Sequence, residues 1–164
     1  MKIKKATEKD IPLIREIAEK SWRANYPGII SNDQIDYMLD LMYSEKEIKS
    51  QFQNPNYHYY LILNDENSTV GILGFENSYE NETTKLHRIY LLKETKGKGF
   101  GKFALNFLAN EVLNLGDKRI ILNVNKENPA IEFYKSQGFE TYKEDIFDIG
   151  NGFVMDDYLM EFKI

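Results

Sequence analysis

The sequence contains no cysteine, so disulfides, thiolate metal sites and a cysteine nucleophile are all excluded. Histidine occurs only twice, at His58 and His87, and that spacing fits no metal-ligand pattern, so no metal is expected. No apolar run approaches the roughly 18 residues that a membrane span requires. The basic start, Met1-Lys2-Ile3-Lys4-Lys5-Ala6, leads into no signal-peptide core, so the expectation is a cytoplasmic protein without a membrane partner. Lacking a signal peptide, the sequons at Asn67 and Asn81 read as chance. Basic residues are also in short supply, with 21 against 26 acidic ones for a net charge of −5. That sign disfavours nucleic acid as a partner and suits a cationic small molecule. What remains is an ordinary globular composition, 42% hydrophobic and 29% charged over 164 residues, which is the size of one domain spanning 1–164. A homodimer is compatible with it.

Along the chain, a short strand at about Ile3 to Ala6 precedes the capping box Thr7-Glu8-Lys9-Asp10. Ile11, Ile14, Ala18 and Trp22 then recur at helical spacing until Tyr26-Pro27-Gly28. Ser31 and Ser44 open two further helices, the second ending before Pro55. The middle is β-rich: Tyr57 to Leu63, Thr69 to Phe75 and, after a polar stretch from Asn77 to Thr83, Thr84 to Leu92. A helix follows Gly101, then a strand from Arg119 to Val124, a helix from Pro129 to Gln137, and two strands at about Thr141 to Ile149 and Phe153 to Phe162. This order predicts a mixed α/β (α+β) fold. Its sheet is a mostly antiparallel one of about seven strands, flanked by helices, with one strand–helix–strand crossover at residues 84–124.

Two segments carry chemistry. In Lys96-Gly97-Lys98-Gly99-Phe100-Gly101-Lys102, glycines alternate between a strand and a helix, where free N–H groups and lysine charge suit a phosphate. Lys102 stands where both a P-loop and a dinucleotide fingerprint starting at Gly97 would need glycine, so neither applies. A tight turn with solvated lysines is the plainer alternative. The second segment runs from Asn128 to Phe139 and contains Ala130, Phe133, Tyr134 and Gly138; alone, it reads as a short helix with a core tyrosine.

Together these segments resemble the Gcn5-related N-acetyltransferase (GNAT) superfamily. Its Arg/Gln-x-x-Gly-x-Gly/Ala loop corresponds to Lys96 through Gly101, with Lys96 departing from the family's first residue. Asn128, Ala130, Phe133, Tyr134, Gly138 and Phe139 match its second motif. The segments Tyr26 to Phe52, Lys85 to Leu91 and Phe133 to Phe139 are similar to bacterial spermidine/spermine N-acetyltransferases of the PaiA type. The resemblance implies the GNAT fold, split around the crossover, and direct acetyl transfer from acetyl-CoA to a primary amine, such as a polyamine. A protein N-terminal or lysine acetyltransferase, or a non-catalytic acyl-CoA sensor, is the alternative.

The resemblance further implies roles for residues. Ile89 and Leu91 would present an open strand edge to the pantetheine arm, with the Leu91 N–H polarising the thioester carbonyl. Amides from Gly97 to Lys102 would hold the pyrophosphate, Asn128 would bond the cofactor, and Tyr134 would stand near its sulfur as proton donor. The base is harder to place, because a lysine-like amine is neutral in only about one molecule in 2,500 at pH 7. Ribosomal-protein alanine acetyltransferases use a glutamate where this sequence has Asn123. Glu76 and His87 are the remaining candidates. Trp22 and Tyr26, with Tyr37 and Tyr43, would wall an acceptor pocket, and Glu76, Glu80 and Glu82 would attract a polyamine.

Overall fold

The computed structural model describes all 164 residues, Met1–Ile164. Strand β1 (Lys2–Lys5) is followed by a 3₁₀ turn at Glu8–Asp10, where the Thr7 N–H donates to Asp10 Oδ2 at 2.8 Å. Helix α1 (Ile11–Asn25) buries Ile11, Ile14, Ile17, Ala18 and Trp22 on one face, as the spacing predicts. Helix α2 (Asn32–Tyr43) starts where Ser31 Oγ accepts from the Gln34 N–H, and α3 (Glu45–Gln53) where Ser44 Oγ accepts from the Glu47 N–H. Each such cap is worth about 1 kcal/mol. Strands β2 (Tyr57–Leu63), β3 (Thr69–Glu80) and β4 (Thr83–Leu91) form the middle. Helix α4 (Phe100–Asn114), β5 (Arg119–Asn125), α5 (Ala130–Ser136), β6 (Glu140–Gly150) and β7 (Phe153–Lys163) complete the chain.

One expected boundary moves. The polar stretch after Phe75 stays extended as far as Glu80, because tertiary hydrogen bonds tether it. The Asn77 N–H reaches Asn56 O, and the Ser78 N–H reaches Asp117 Oδ2 at 2.8 Å. Asp117 also accepts from Thr84 Oγ1, tying the β3–β4 turn to the start of β5.

The sheet order is β1-β2-β3-β4-β5-β7-β6, antiparallel except for β4 against β5. Its two faces bury two cores. Phe75, Leu86, Leu108, Val112, Ile120 and Met160 lie on the α4–α5 side, while Ile14, Trp22, Ile35, Ile48, Tyr59 and Ile72 lie on the α1–α3 side. At about 1.5–3 kcal/mol per buried large side chain, these layers hold the sheet between its helices.

The functional feature is a split in that sheet. Strands β4 and β5 pair only at Thr83↔Arg119, Thr84↔Ile120 and Lys85↔Ile121, although both continue well beyond. The cause lies on the other side of β4. Gly74 pairs with Arg88 but Phe75 with Leu86, so His87 is an extra residue without a partner. A bulge of this kind raises local twist and bends the strand. It swings the end of β4 away from β5, which instead follows β7 as far as Asn125↔Asp157.

Candidate active site

The loop before α4 is built to offer N–H groups. Gly97 (φ 74°) and Gly99 (φ 82°) are left-handed, a conformation glycine adopts without a Cβ penalty. The first backbone bond of α4 runs from Phe103 N to Gly99 O, so the N–H groups of Gly99, Phe100, Gly101 and Lys102 have no backbone acceptor, and neither has that of Gly97. Lys98 departs from the sequence expectation, since its N–H already donates to Thr95 O at 3.1 Å. The loop borders a cavity of about 860 Å³ that Leu91, Leu92, Lys93, Lys96, Lys102 and Phe133 also line. Helix dipole, free amides and lysine charge together fit a pyrophosphate.

Gly101 serves a different purpose. A Cβ there would lie 2.8 Å from Phe133 Cζ, so this glycine lets α5 pack across the start of α4 and joins the two motifs. Gly99 is the cleaner probe, with only Met1 Cε within 4 Å of such a Cβ. Gly99→Val is expected to lower acetyl-CoA affinity more than tenfold, about 1.4 kcal/mol. Gly99→Asn, which tolerates the left-handed backbone, should lose less. Calorimetry on folded variants checks this, and wild-type affinity in Gly99→Val would remove the loop from the binding site.

The second wall is the open edge of β4. The Leu92 N–H donates to Val70 O on β3 at 2.8 Å. Antiparallel alternation then turns the polar groups of Tyr90 toward β3 and those of Ile89 and Leu91 toward the split. With β5 gone, those groups are free for an amide-bearing ligand. Gly71 makes this approach of β3 possible, since a Cβ there would lie 2.6 Å from Tyr90 O and from Leu91 Cδ2.

Beyond the residues that border the cavity, Tyr134 follows Phe133 on α5, and Tyr26 lies near Asn128. The Tyr134 hydroxyl makes no hydrogen bond within the protein, and burial, with a smaller contribution from Tyr26, pushes its pKa up. It therefore remains an O–H donor at neutral pH. Burial also raises Tyr26, to about 12, against the nearby Asn128 amide, which pulls it down. Asn128 has a local duty that the sequence did not reveal: its Oδ1 accepts from the Ala130 N–H at 2.9 Å, so the amide group faces Tyr26 with Nδ2. Trp22 is 3% exposed and stacks on Tyr26 at 4.4 Å, so it supports the pocket from behind. Tyr37 bonds Ile149 O, and Tyr43 is buried against Tyr90, so neither lies open to an acceptor.

Glu76 and His87 lie elsewhere. Glu76 accepts from Asn54 Nδ2 at 3.2 Å and meets His87 Nε2 at 3.0 Å, while His87 stacks on Tyr57. Neither borders the cavity, and the same holds for Tyr134, Tyr26 and Asn128. Burial lowers the His87 pKa to about 4, against the raising effect of Glu76, so the ring is neutral near pH 7. Glu80 and Glu82 are likewise paired, with Arg119 and Lys118. The polar contacts of these acids are with the protein itself.

Comparison with known proteins agrees with this geometry. Residues 13–139 match the acetyltransferase (GNAT) family. The chain is 30% identical over 151 residues to the uncharacterized N-acetyltransferase YuaI of Bacillus subtilis, covering 90% of this chain and 84% of that one. It is 24% identical over 158 residues to spermidine N(1)-acetyltransferase of Thermoplasma acidophilum, covering 95% and 96%. The crystal structure of PaiA N-acetyltransferase from Thermoplasma acidophilum in complex with coenzyme A superimposes with a TM-score of 0.83 at 23% identity, over 99% and 98% of the two chains. A split sheet, a glycine turn with free amides and a family match over most of the chain have one reading: this chain belongs to the acetyltransferase (GNAT) family, as an N-acetyltransferase that uses acetyl-CoA.

Proposed function

We propose that the enzyme acetylates a primary amine of a small polycation, of the spermidine and spermine class. The observation that carries this reading is the charge of the β6–β7 hairpin beside the split. Residues 140–163 hold seven carboxylates against Lys143 and Lys163; Glu144, Asp145, Asp156 and Glu161 form ion pairs within the protein, which leaves Glu140, Asp148 and Asp157 without a cationic partner. A flexible polyamine needs such a surface for the ammonium groups that do not react. The likeness to a spermidine acetyltransferase supports the same class.

Acetyl-CoA supplies an acetyl group activated as a thioester. The free amides of Gly97 and of Gly99 to Lys102 hold the phosphates, with Lys96 and Lys102 adding charge. Ile89 and Leu91 bond the pantetheine amides, and the Leu91 N–H is directed at the thioester oxygen, where negative charge develops. The Asn128 Nδ2 steadies the ligand beside the sulfur. The Tyr134 hydroxyl donates its proton to the departing sulfur. Trp22 and Tyr26 shape the acceptor side.

An amine panel of spermidine, spermine, n-butylamine, peptides and aminoglycosides, read by acetyl-CoA consumption, tests the acceptor. Exposed charges are screened beyond about 8 Å at physiological salt. The expected result is therefore turnover of spermidine whose kcat/KM falls more steeply with salt than that of n-butylamine. Equal salt sensitivity, or no polyamine turnover, rejects the polyamine class and leaves the acetyltransferase itself untouched.

A further inference from the structure

The acceptor amine arrives protonated and must lose a proton, and Glu76 and His87 are already bonded to one another. Another carboxylate has no such partner. Asp157, on β7, is 6% exposed, yet its Oδ1 is buried without a hydrogen-bond partner. No ion pair or hydrogen bond of the protein ends on it, while its chain neighbour Asp156 pairs with Lys126. Such a group costs free energy unless a ligand satisfies it.

Its position is informative. Asp157 pairs with Asn125, the last residue of β5, at the level where β4 has already turned away. Met155, two residues earlier on the same face, packs in the α1–α3 core, whereas Tyr158 and Met160 face the opposite core. The carboxylate therefore looks toward the end of α1, where Tyr26 senses it. Tyr26 in turn senses Asn128 and is sensed by Tyr134. Register and face thus set an unpaired acceptor on the α1–α3 side of the sheet, level with the split, whereas the unpaired donor Tyr134 packs against the α4–α5 core.

We propose that Asp157 receives the ammonium of the acceptor and takes one proton from it, generating the neutral amine that attacks. The balance is simple. The carboxylate goes from −1 to 0 as the ammonium goes from +1 to 0, and the proton later leaves the carboxyl for water. The freed lone pair forms the new C–N bond as the C–S bond breaks; the second nitrogen proton then restores the Tyr134 hydroxyl, whose own proton has gone to the sulfur. The proposal rests on the acetyl-transfer reading above and adds the base to it. Burial first, and then the charge of Asp156, raise the Asp157 pKa to about 6, against the lowering effect of Lys85 on β4. The other neighbours are Asn125 on β5, Tyr26 at the end of α1, and Asp145 opposite on β6, which is paired with Lys143. A carboxyl near 6 is ionised at pH 7 and still basic enough to accept a proton.

Two measurements on the full chain decide the matter. In Asp157→Asn, kcat/KM for the best amine of the panel should fall about 100-fold at pH 7, with acetyl-CoA affinity unchanged. The deficit should shrink as pH approaches the amine's own pKa, and the acid limb near pH 6 should vanish. A purely structural carboxylate would leave that limb in place. Independently, ¹³C NMR of aspartate-labelled wild-type protein should show the Asp157 carboxyl titrating to a lower pKa in the presence of n-butylamine and not of n-butanol. A folded Asp157→Asn with wild-type kcat/KM, or a carboxyl indifferent to n-butylamine, overturns the proposal. If the wild type acetylates no amine, the acetyl-transfer reading fails, and the NMR titration still judges the amine site: a responsive carboxyl upholds it and an indifferent one ends it.

Discussion

Tyr134→Phe is expected to lower kcat by about 100-fold while acetyl-CoA affinity stays at its wild-type value. The substitution keeps the ring, which packs against Phe133 and Phe139 at 5.6 and 5.7 Å, and removes only the hydroxyl. That hydroxyl has no partner within the protein, so its loss orphans nothing and the fold should keep its stability. A coenzyme A thiolate with a reference pKa near 8.5 is a poor leaving group unless it is protonated or hydrogen-bonded as it departs. The buried phenol can donate throughout the working pH range because burial holds it protonated. Rapid-quench measurement of the chemical step, with calorimetry for binding, separates the two effects. A chemical step at the wild-type rate would return Tyr134 to a packing role.

In the proposed mechanism Tyr134 and Asp157 would supply acid and base from one fold. Burial acts on both, raising a phenol that must stay protonated and a carboxyl that must be able to accept a proton. The same physical effect thereby prepares a donor for the sulfur and an acceptor for the amine.

Both motifs were legible because their chemistry is local. Glycine at 97 and 99 is required by left-handed backbone in a single turn, and Asn128 through Gly138 lie within one short helix and its ends. The seven strands were legible from alternation and turn residues, except that β3 runs five residues past its apparent end. That extension depends on Asn56 and Asp117, which are distant in sequence. The bulge at His87 left no sign in the residues, yet it opens the split that makes Ile89 and Leu91 available. Asp157, the proposed base, did not stand out in the sequence for a similar reason. A carboxylate in an acid-rich strand reads as solvated, and only the register Asn125↔Asp157 and its burial set it apart. Conversely, Glu76 and His87 looked like candidates because each was a titratable group on a strand near the split. The structure pairs them with one another and with Asn54.

Arg88 gives the largest expected effect on stability. It is 5% exposed and no carboxylate pairs with it. Instead its guanidinium donates to four neutral oxygens: Gln51 Oε1 at 2.9 Å, Tyr57 Oη at 2.5 Å, Tyr59 Oη at 2.6 Å and Met42 O at 2.8 Å. It also lies 4.5 Å from the centre of the Tyr43 ring. One side chain thus ties β4 to β2, α3 and the end of α2, behind the edge that presents Leu91. Burying a cation is costly, and replacing a complete buried ionic cluster by apolar residues is often neutral or stabilising. Here a single substitution leaves the oxygens in place. Arg88→Met fills similar volume but strands up to four acceptors, of which Gln51 alone keeps a donor in Tyr59. At about 1–3 kcal/mol for each unsatisfied buried group, with some recovered by rearrangement, the net loss should be about 3 kcal/mol. For a chain of this size that corresponds to a Tm lower by roughly 10 °C. Thermal and urea unfolding of the full chain measure it. A variant as stable as the wild type would mean that desolvation of the guanidinium cancels its hydrogen bonds, and that the aromatic cage stands without the charge at its centre.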